Sequence, residues 1–456
     1  MQNPLTIAQI TDLHLRRHLP GHPNSFRRRG REAFEVLPSA LELARERGAT
    51  LVVLTGDLVD VPESILGSDD YYPLPRERWL EAALADYRLL KKTLDAGGVP
   101  YTVLPGNHDH EPSFWQVFAR APLWFDLPQG FRVVRFFDRE GDGHVPRRLD
   151  RERRQLEGML ADASDFLQIH LQHYVINPTL EGQGYPYNYL EAEHLRTALV
   201  ASRKVRLALS GHYHPGTDLL CEEGCYFCTA PAFTLAPHPM TIYHLEGGQV
   251  RREVVATQTG PLTAGKPVVF VDRDGVLNAQ ESYSTGPENL TLIAGAADAV
   301  ARLRSAGWAV VVVTNQSAIG LGYVTESTVC LVNDRLCQLL SEQAGSEAIP
   351  DAIVMNAGAG SRAVHPMWQD LSRAKPSPWM LEQAVKELGL RQDGAFLVGD
   401  RESDLSAART FGATPVLVRT GAGRETESSL DLRKWAALDI FDDLSTAVAM
   451  ILSREG

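Results

Sequence analysis

Two α/β domains in series is the fold the sequence predicts, on three observations. Short β-branched and apolar runs alternate with longer helical patterns along the whole chain. Acidic residues and histidines recur just after the strand-like runs, where open α/β sheets place their chemistry. Around residues 256–267 the text turns rich in Thr, Gly and Pro before a fresh apolar run begins. A chain of 456 residues also exceeds one ordinary core.

In order, residues 5–10 read as the first strand and 33–47 as the first helix; 50–54, 101–104 and 205–209 read as strands and 78–94 as a long helix. The boundary gives a first domain over 1–258, a linker over 259–266 and a second domain over 267–456. There the rhythm restarts with strand 268–271, helix 296–306, strand 309–313, helix 326–343 and strands 353–355 and 395–398. Such a run describes a doubly wound parallel sheet. No internal repeat or low-complexity segment occurs, so the halves are not duplicates.

Composition narrows the partners. With 44% hydrophobic and 22% charged residues, the chain reads as globular. A formal charge of -12 repels a polyanion at long range, which disfavours long nucleic acid. The Arg-rich stretch 27–31 reads as a local basic patch, a solvated helix start or a phosphate-gripping loop. Five cysteines and an N-terminus that runs straight into a strand imply a reducing, cytoplasmic home. No apolar run approaches the roughly 20 residues that cross a bilayer.

Five patches in the first half supply metal-ligand residue types: Asp12 and His14; Asp57; Asn107, His108 and Asp109; His173; and His212 and His214. Asp-x-His and His-x-His place two side chains on one side of a strand end, because alternate residues share a face. Two divalent ions need about this many ligands, and mixed oxygen and imidazole donors suit Mn, Fe, Zn or Ni. The alternative for any single histidine is a satisfied core or surface residue; five ordered patches together argue against it. His170 could take the place of His173, and Asp60 reads as a group behind the site. Cys221, Cys225 and Cys228 could form a zinc site with His238 or His244, or serve as ordinary buried cysteines.

The ordered motifs QITDLHL, LTGDLVD, LPGNHD, LQHY and SGHYHPG resemble those of the calcineurin-like metallophosphoesterases, including their cyclic-nucleotide phosphodiesterase branch, over residues 5–255. That likeness implies a four-layer α/β/β/α sandwich. It also implies one metal on Asp12, His14, Asp57 and His214, a second on Asp57, Asn107, His173 and His212, and Asp57 as the bridge. His108, oriented by Asp109, would serve the leaving oxygen.

In the second half, residues 268–271 run into Asp272-Arg273-Asp274-Gly275, two carboxylates two residues apart beside a glycine that permits a tight turn. Thr314-Asn315-Gln316-Ser317, Lys375-Pro376 and Gly399-Asp400-Arg401 follow in order. These four motifs resemble those of the haloacid-dehalogenase phosphatases, and DRDGVLN with TNQSAIGLGY is similar to the branch of the heptose-bisphosphate and histidinol-phosphate phosphatases. The resemblance implies a Rossmann-like domain with Asp272 as nucleophile, Asp274 as acid/base, Thr314 and Asn315 on the phosphate, and Lys375 balancing charge. Asp400, Asp272 and the Asp274 carbonyl would hold Mg²⁺. Arg401 and Arg373 either touch substrate or lie on a solvated surface. That branch carries a cysteine-rich zinc loop before its lysine motif, whereas residues 356–374 contain no cysteine, so no structural zinc is expected there.

The expectation is a bifunctional phosphoric-ester hydrolase: a dinuclear-metal phosphodiesterase or phosphatase followed by a Mg-dependent phosphatase acting on a small, sugar-phosphate-like metabolite. The alternative is nucleic-acid end processing, which the acidic charge and the lack of a kinase P-loop disfavour. Substrate choice is assigned to loops 62–78 and 280–289.

Overall fold

A computed structural model describes residues 3–19, 28–61, 76–119, 122–180, 185–258, 263–279, 286–324, 326–364, 366–431, 433–435 and 437–454. They group into two compact units, one reaching Gln258 and the other beginning at Thr263.

The first unit carries two sheets. One has the order β13-β12-β1-β2-β3, from β1 (Leu5–Ile10), β2 (Leu51–Thr55), β3 (Tyr101–Leu104), β12 (Pro239–Glu246) and β13 (Gln249–Ala256). The other has the order β10-β11-β9-β8-β5-β4, from β4 (Trp124–Leu127), β5 (Phe131–Arg135), β8 (Leu167–Leu171), β9 (Val205–Ser210), β10 (Leu220–Glu222) and β11 (Cys225–Thr229). Strands β6 (Arg139–Glu140) and β7 (Pro146–Arg147) form a separate hairpin.

Alternation along these strands builds the layers. Ile7, Val53, Val133, Ile169 and Leu207 pack between the two sheets. Ala8, Ile10, Val52 and Leu54 face the other way, onto α1 (Gly30–Glu46) and α2 (Arg76–Ala96). Helix α3 (Glu111–Val117) adds Phe114 to that cluster. The outer face of the second sheet, through Val134, Ala208 and Phe227, is covered by α4 (Asp150–Leu160) and α5 (Ala192–Ser202). The result is the four-layer α/β/β/α sandwich. Strands β5, β11, β12 and β13 had not stood out, because their tertiary partners rather than a clean local period define them.

The second unit is built on one all-parallel sheet of order β18-β17-β14-β19-β20-β21. Its strands are β14 (Pro267–Val271), β17 (Ala309–Asn315), β18 (Ala352–Asn356), β19 (Arg391–Gly399), β20 (Thr414–Val418) and β21 (Asp439–Phe441); β15 (Asn278–Ala279) and β16 (Thr291–Leu292) make a small hairpin. Val269 and Val271 face α6 (Ala296–Ser305), α8 (Glu326–Ala344) and α12 (Leu444–Ser453). Val268 and Phe270 face α9 (Trp379–Leu388) and α10 (Glu402–Phe411). Short helices α7 (Ser317–Gly320) and α11 (Gly423–Ser429) complete the unit. From central β14 the chain winds first to β17 and β18 and then to β19, β20 and β21, so the direction of winding switches beside β14, where doubly wound sheets bind ligands. Among the described residues, no helix is long and apolar enough to cross a membrane.

Candidate active sites

In the first unit the ligand candidates all follow the carboxyl ends of β1, β2, β3, β8 and β9. Asp12, His14, Asp57 and His212 have φ of 51, 45, 50 and 69°, left-handed conformations that such residues adopt at a cost. This corrects the strand-face argument for Asp-x-His: both residues lie past the strand, and the turn, not the pleat, brings them together. Glycines make the close approach possible. A Cβ on Gly56 would lie 2.3 Å from His173 Nδ1, and one on Gly106 would lie 2.2 Å from Asp57 Oδ1.

Three overlapping sets of side chains have ligand atoms within 4.8 Å of one another: Asp12, His14 and His214; His14, Asp57 and His108; and Asp57, His173 and His212. Asp57 joins the two ends, with His14 Nε2 at 3.6 Å and His173 Nε2 at 3.4 Å from its two oxygens. His14 Nε2 and His214 Nε2 lie 3.1 Å apart, and Asn107 Oδ1 lies 3.1 Å from His173 Nε2. His212 Nε2 is buried without a hydrogen-bond partner. Imidazoles and carboxylates crowded around buried, unpartnered nitrogen fit two divalent cations sharing Asp57. Burial pushes the Asp12 carboxyl up to about 6, a cost that a nearby cation would remove.

His173, not His170, enters this cluster. His173 Nδ1 donates to Thr55 O at 2.8 Å, fixing the ring, while His170 is buried three residues earlier against Phe136 with Nε2 on Gln168. His108 is held by Asp60, with Nδ1 3.0 Å from Asp60 Oδ1, and the assignment of that task to Asp109 is corrected. Asp109 accepts from Leu58 N, Val59 N, Gly106 N and Tyr87 OH, so its carboxylate is spent on pinning two loops. Burial works against protonated His108, but Asp57 and Asp60 outweigh it and hold its pKa above the usual value. Asp60 also takes Arg16 Nε at 2.7 Å and has Arg28 at 3.7 Å.

The cleft beside these residues, about 490 Å³, is further lined by Arg28, Glu140, His144, Tyr185 and Tyr187. The Arg-rich stretch therefore divides. Arg28 reaches the cleft, Arg29 pairs with Glu32 and Arg31 donates to Leu19 O; Arg27 lies outside the described residues. Glu140, His144 and the two tyrosines carry no motif, which is why the sequence did not single them out. The parts of the two specificity loops at 62–75 and 280–285 lie outside the described residues.

The zinc reading of the cysteines fails. Cys225 packs with the outer layer and Cys228 between the sheets, because an offset of three places them on opposite faces of β11. His238 and His244 hydrogen-bond Phe233 O and Thr6 Oγ1. The ligand groups formed among the described residues include no cysteine.

In the second unit, Asp272, Asp274, Thr314, Lys375 and Asp400 converge at the ends of β14, β17 and β19 and the loop carrying Lys375. Lys375 Nζ lies 2.7 Å from both Asp272 Oδ1 and Asp404 Oδ1 and donates to Val313 O. Burial pushes the Asp272 carboxyl up to about 8, with Lys375 opposing. Asp274 is gripped by Arg273 through Nε and Nη2 at 3.1 and 2.9 Å, and by Gln316 and Asn278. Against the effect of burial, Arg273 and these amides hold Asp274 below the usual carboxylate range.

Asp272, Asp400 and Asp404 present oxygens within 4.8 Å of one another, and Asp400 Oδ1 is buried without a hydrogen-bond partner. A Cβ on Gly275 would lie 2.2 Å from Asp400 Oδ2 and one on Gly421 2.3 Å, so two glycines make a cradle around an oxygen-only donor set that fits Mg²⁺. Asp404, Arg273, Gln316 and Asn278 lay inside or beside the quoted motifs without an assigned task.

The Asn315 amide is engaged with the Lys375 backbone, Nδ2 to O at 2.9 Å and N to Oδ1 at 3.0 Å, so this side chain positions the lysine loop, and the second Nδ2 hydrogen of this exposed residue is still open to a phosphate. The Arg401 side chain is 66% exposed, 3.9 Å from Asp400, and stands outside the cluster. Arg373 lies over the Trp379 ring.

Comparison with known proteins finds a family model in each unit. The family model for calcineurin-like phosphoesterases matches residues 5–216, and that for HAD-hydrolase-like proteins matches 372–447. The D-glycero-beta-D-manno-heptose-1,7-bisphosphate 7-phosphatase of Pseudomonas putida is 36% identical over 179 residues, 39% of this chain and 95% of that protein. A crystal structure of D,D-heptose 1,7-bisphosphate phosphatase from B. bronchiseptica with magnesium and phosphate is 29% identical, covering 41% of this chain and 99% of that one, with a TM-score of 0.36. A dimetal phosphatase from Danio rerio is 16% identical, covering 57% and 98%, with a TM-score of 0.45. The chain carries a calcineurin-like metallophosphoesterase domain and a HAD-like domain, and belongs through the latter to the family of the heptose-1,7-bisphosphate phosphatases. It is a hydrolase of phosphoric esters.

Proposed function

We propose that the chain is two independent phosphoesterases, the first with a dinuclear metal centre and the second working through an aspartyl-phosphate on a small phosphorylated, sugar-like metabolite. The observation that carries this is the pair of separate clusters, each complete within its own unit. In the first, Asp12, His14, Asp57 and His214 would hold one divalent cation and Asp57, Asn107, His173 and His212 the other. These cations would supply charge neutralisation at phosphorus and an activated water. His108, held by Asp60, donates a proton to the departing oxygen.

In the second, Asp272 Oδ attacks phosphorus and the P–O ester bond breaks as Asp274, protonated for this step, gives its proton to the leaving oxygen. Water then cleaves the aspartyl-phosphate, inorganic phosphate is released and the proton of the water returns to Asp274, whose partners favour the charged, proton-accepting form that this step needs. Lys375 balances charge on Asp272 and phosphate, Thr314 offers its hydroxyl to a phosphoryl oxygen, and Asn315 and Asp404 position Lys375. Mg²⁺ on Asp272, Asp400 and the Asp274 carbonyl would offset the phosphoryl charge.

The test is phosphate release, or alcohol release for diesters, from a panel of sugar phosphates, nucleotides and phosphodiesters with Mn²⁺ or Mg²⁺. Asp57→Asn and Asp272→Asn are each expected to abolish a different subset. A panel unchanged by Asp272→Asn would refute the second half of the proposal.

A further inference from the structure

Glu140 stands in the first unit's cleft with no part in metal binding or proton transfer as described above. Its carboxylate is aimed from both sides: Oε1 accepts from Tyr185 OH at 3.0 Å and Oε2 lies 3.0 Å from His144 Nδ1. It sits on the β6–β7 hairpin, whose turn is closed by His144 in a left-handed conformation, φ 59°. Strain of that kind persists where surrounding contacts over-determine the geometry. The Glu140 side chain is 13% exposed, and Oε1 lies 3.9 Å from His212 Nε2, so the fixed charge lies at the edge of the metal cluster.

The lining of the cleft is mixed in charge. Arg28, His108 and the ligand cluster suit the phosphoryl group, while Glu140, His144, Tyr185 and Tyr187 line the same cleft beside His212, where the organic part of an ester bound there would meet them. A carboxylate has about four acceptor positions, and its two protein partners leave room for substrate donors. A hydroxyl or N–H there gains a charge-assisted hydrogen bond, whereas a second phosphate meets a like charge in a partly desolvated wall. Tyr185 and Tyr187, with ring centroids 5.3 Å apart, extend the same wall and offer ring surface to an uncharged group.

We propose that Glu140 is a specificity-determining residue of the first unit, selecting esters whose organic part is uncharged and rich in hydrogen-bond donors and rejecting those that carry a second phosphate. It follows that the first unit does not act on the doubly phosphorylated sugars named for the relatives of the second, so the two units differ in substrate charge. The inference rests on the first unit being the phosphoesterase proposed above.

The test uses the full chain with Asp272→Asn silencing the second unit. The substrates are the 4-nitrophenyl ester of thymidine 5′-phosphate and the same ester with an added 3′-phosphate, with nitrophenolate release as the readout. The singly phosphorylated ester is expected to be preferred in kcat/KM by about tenfold or more. Glu140→Gln should collapse that ratio towards unity, and Tyr185→Phe, which removes only the hydroxyl aiming the carboxylate, should shift it the same way by less. An unchanged ratio in Glu140→Gln, or equal loss on both substrates together with lost bound metal, overturns the proposal. Nitrophenolate release that survives Asp57→Asn would instead overturn the underlying reading of the first unit.

Discussion

Asp60 and Asp109 show how two similar buried carboxylates acquire different tasks from their neighbours. Asp60 touches His108, which lines the cleft, the ligand candidate His14 and buried Arg16, whereas Asp109 is saturated by three backbone amides and a tyrosine. Asp60→Asn should therefore lower first-unit turnover by roughly 10- to 100-fold, and it should also lower the melting temperature, because buried Arg16 loses its carboxylate partner. Asp109→Asn should lower the melting temperature with less effect on turnover, because an amide cannot accept all four donors; steady-state kinetics on the folded protein separate the two. His170 permits a pH prediction away from the ligands. Burial holds its pKa down to about 3 from an ordinary 6.5, so below 6.5 the unfolded chain takes up the proton first and the folded state loses stability as pH falls. Between pH 6.5 and 5 the wild type should lose about 2 kcal/mol that His170→Gln retains, read as diverging unfolding curves of the full chains over that range. The motifs gave away Asp12, Asp57 and Asp272 because their residue types and spacing are local. Glu140 and Arg28 were hidden because they reach the cleft through folding alone.

At the scale of elements, the first site depends on how its two sheets are tied. Gln9 on β1 donates from Nε2 to Thr55 Oγ1 on β2 and Ser210 O on β9, both at 2.8 Å, and accepts from Tyr243 OH on β12 at 2.9 Å. It is fully buried, and it stands just before the turn that carries Asp12 and His14. Gln9→Leu would keep volume but strand three polar groups, costing about 2–4 kcal/mol. Chemical denaturation should show that loss, accompanied by weaker metal retention. The strands carrying motifs were legible because a buried run ends in polar, turn-forming text, as at β14 before Asp272. Strand β13, with exposed residues along most of its length, was not, since its place is fixed by pairing to β12 rather than by its own pattern.

For the whole molecule, the different donor sets of the two units should make their activities separable by metal. After chelation, Mg²⁺ should restore the activity that Asp272→Asn abolishes, whereas the activity that Asp57→Asn abolishes should return with Mn²⁺ or Zn²⁺, because histidine-rich sites favour transition metals and oxygen-only sites favour Mg²⁺. Assays of one preparation with each metal in turn would check this, and recovery of both activities by Mg²⁺ alone would count against it. By itself the sequence determined the two α/β folds, the order of the motifs and the class of chemistry. Those depend on residue types repeated at short spacing, and period-two burial with polar text after each strand is legible locally. Only the tertiary structure decided which carboxylate holds His108, that His173 rather than His170 meets Asp57, that Asn315 bonds the Lys375 backbone, and that Glu140 lines the cleft. Each of these depends on groups brought together across distant strands and loops, with backbone turned into left-handed conformations that packing imposes and no local pattern announces.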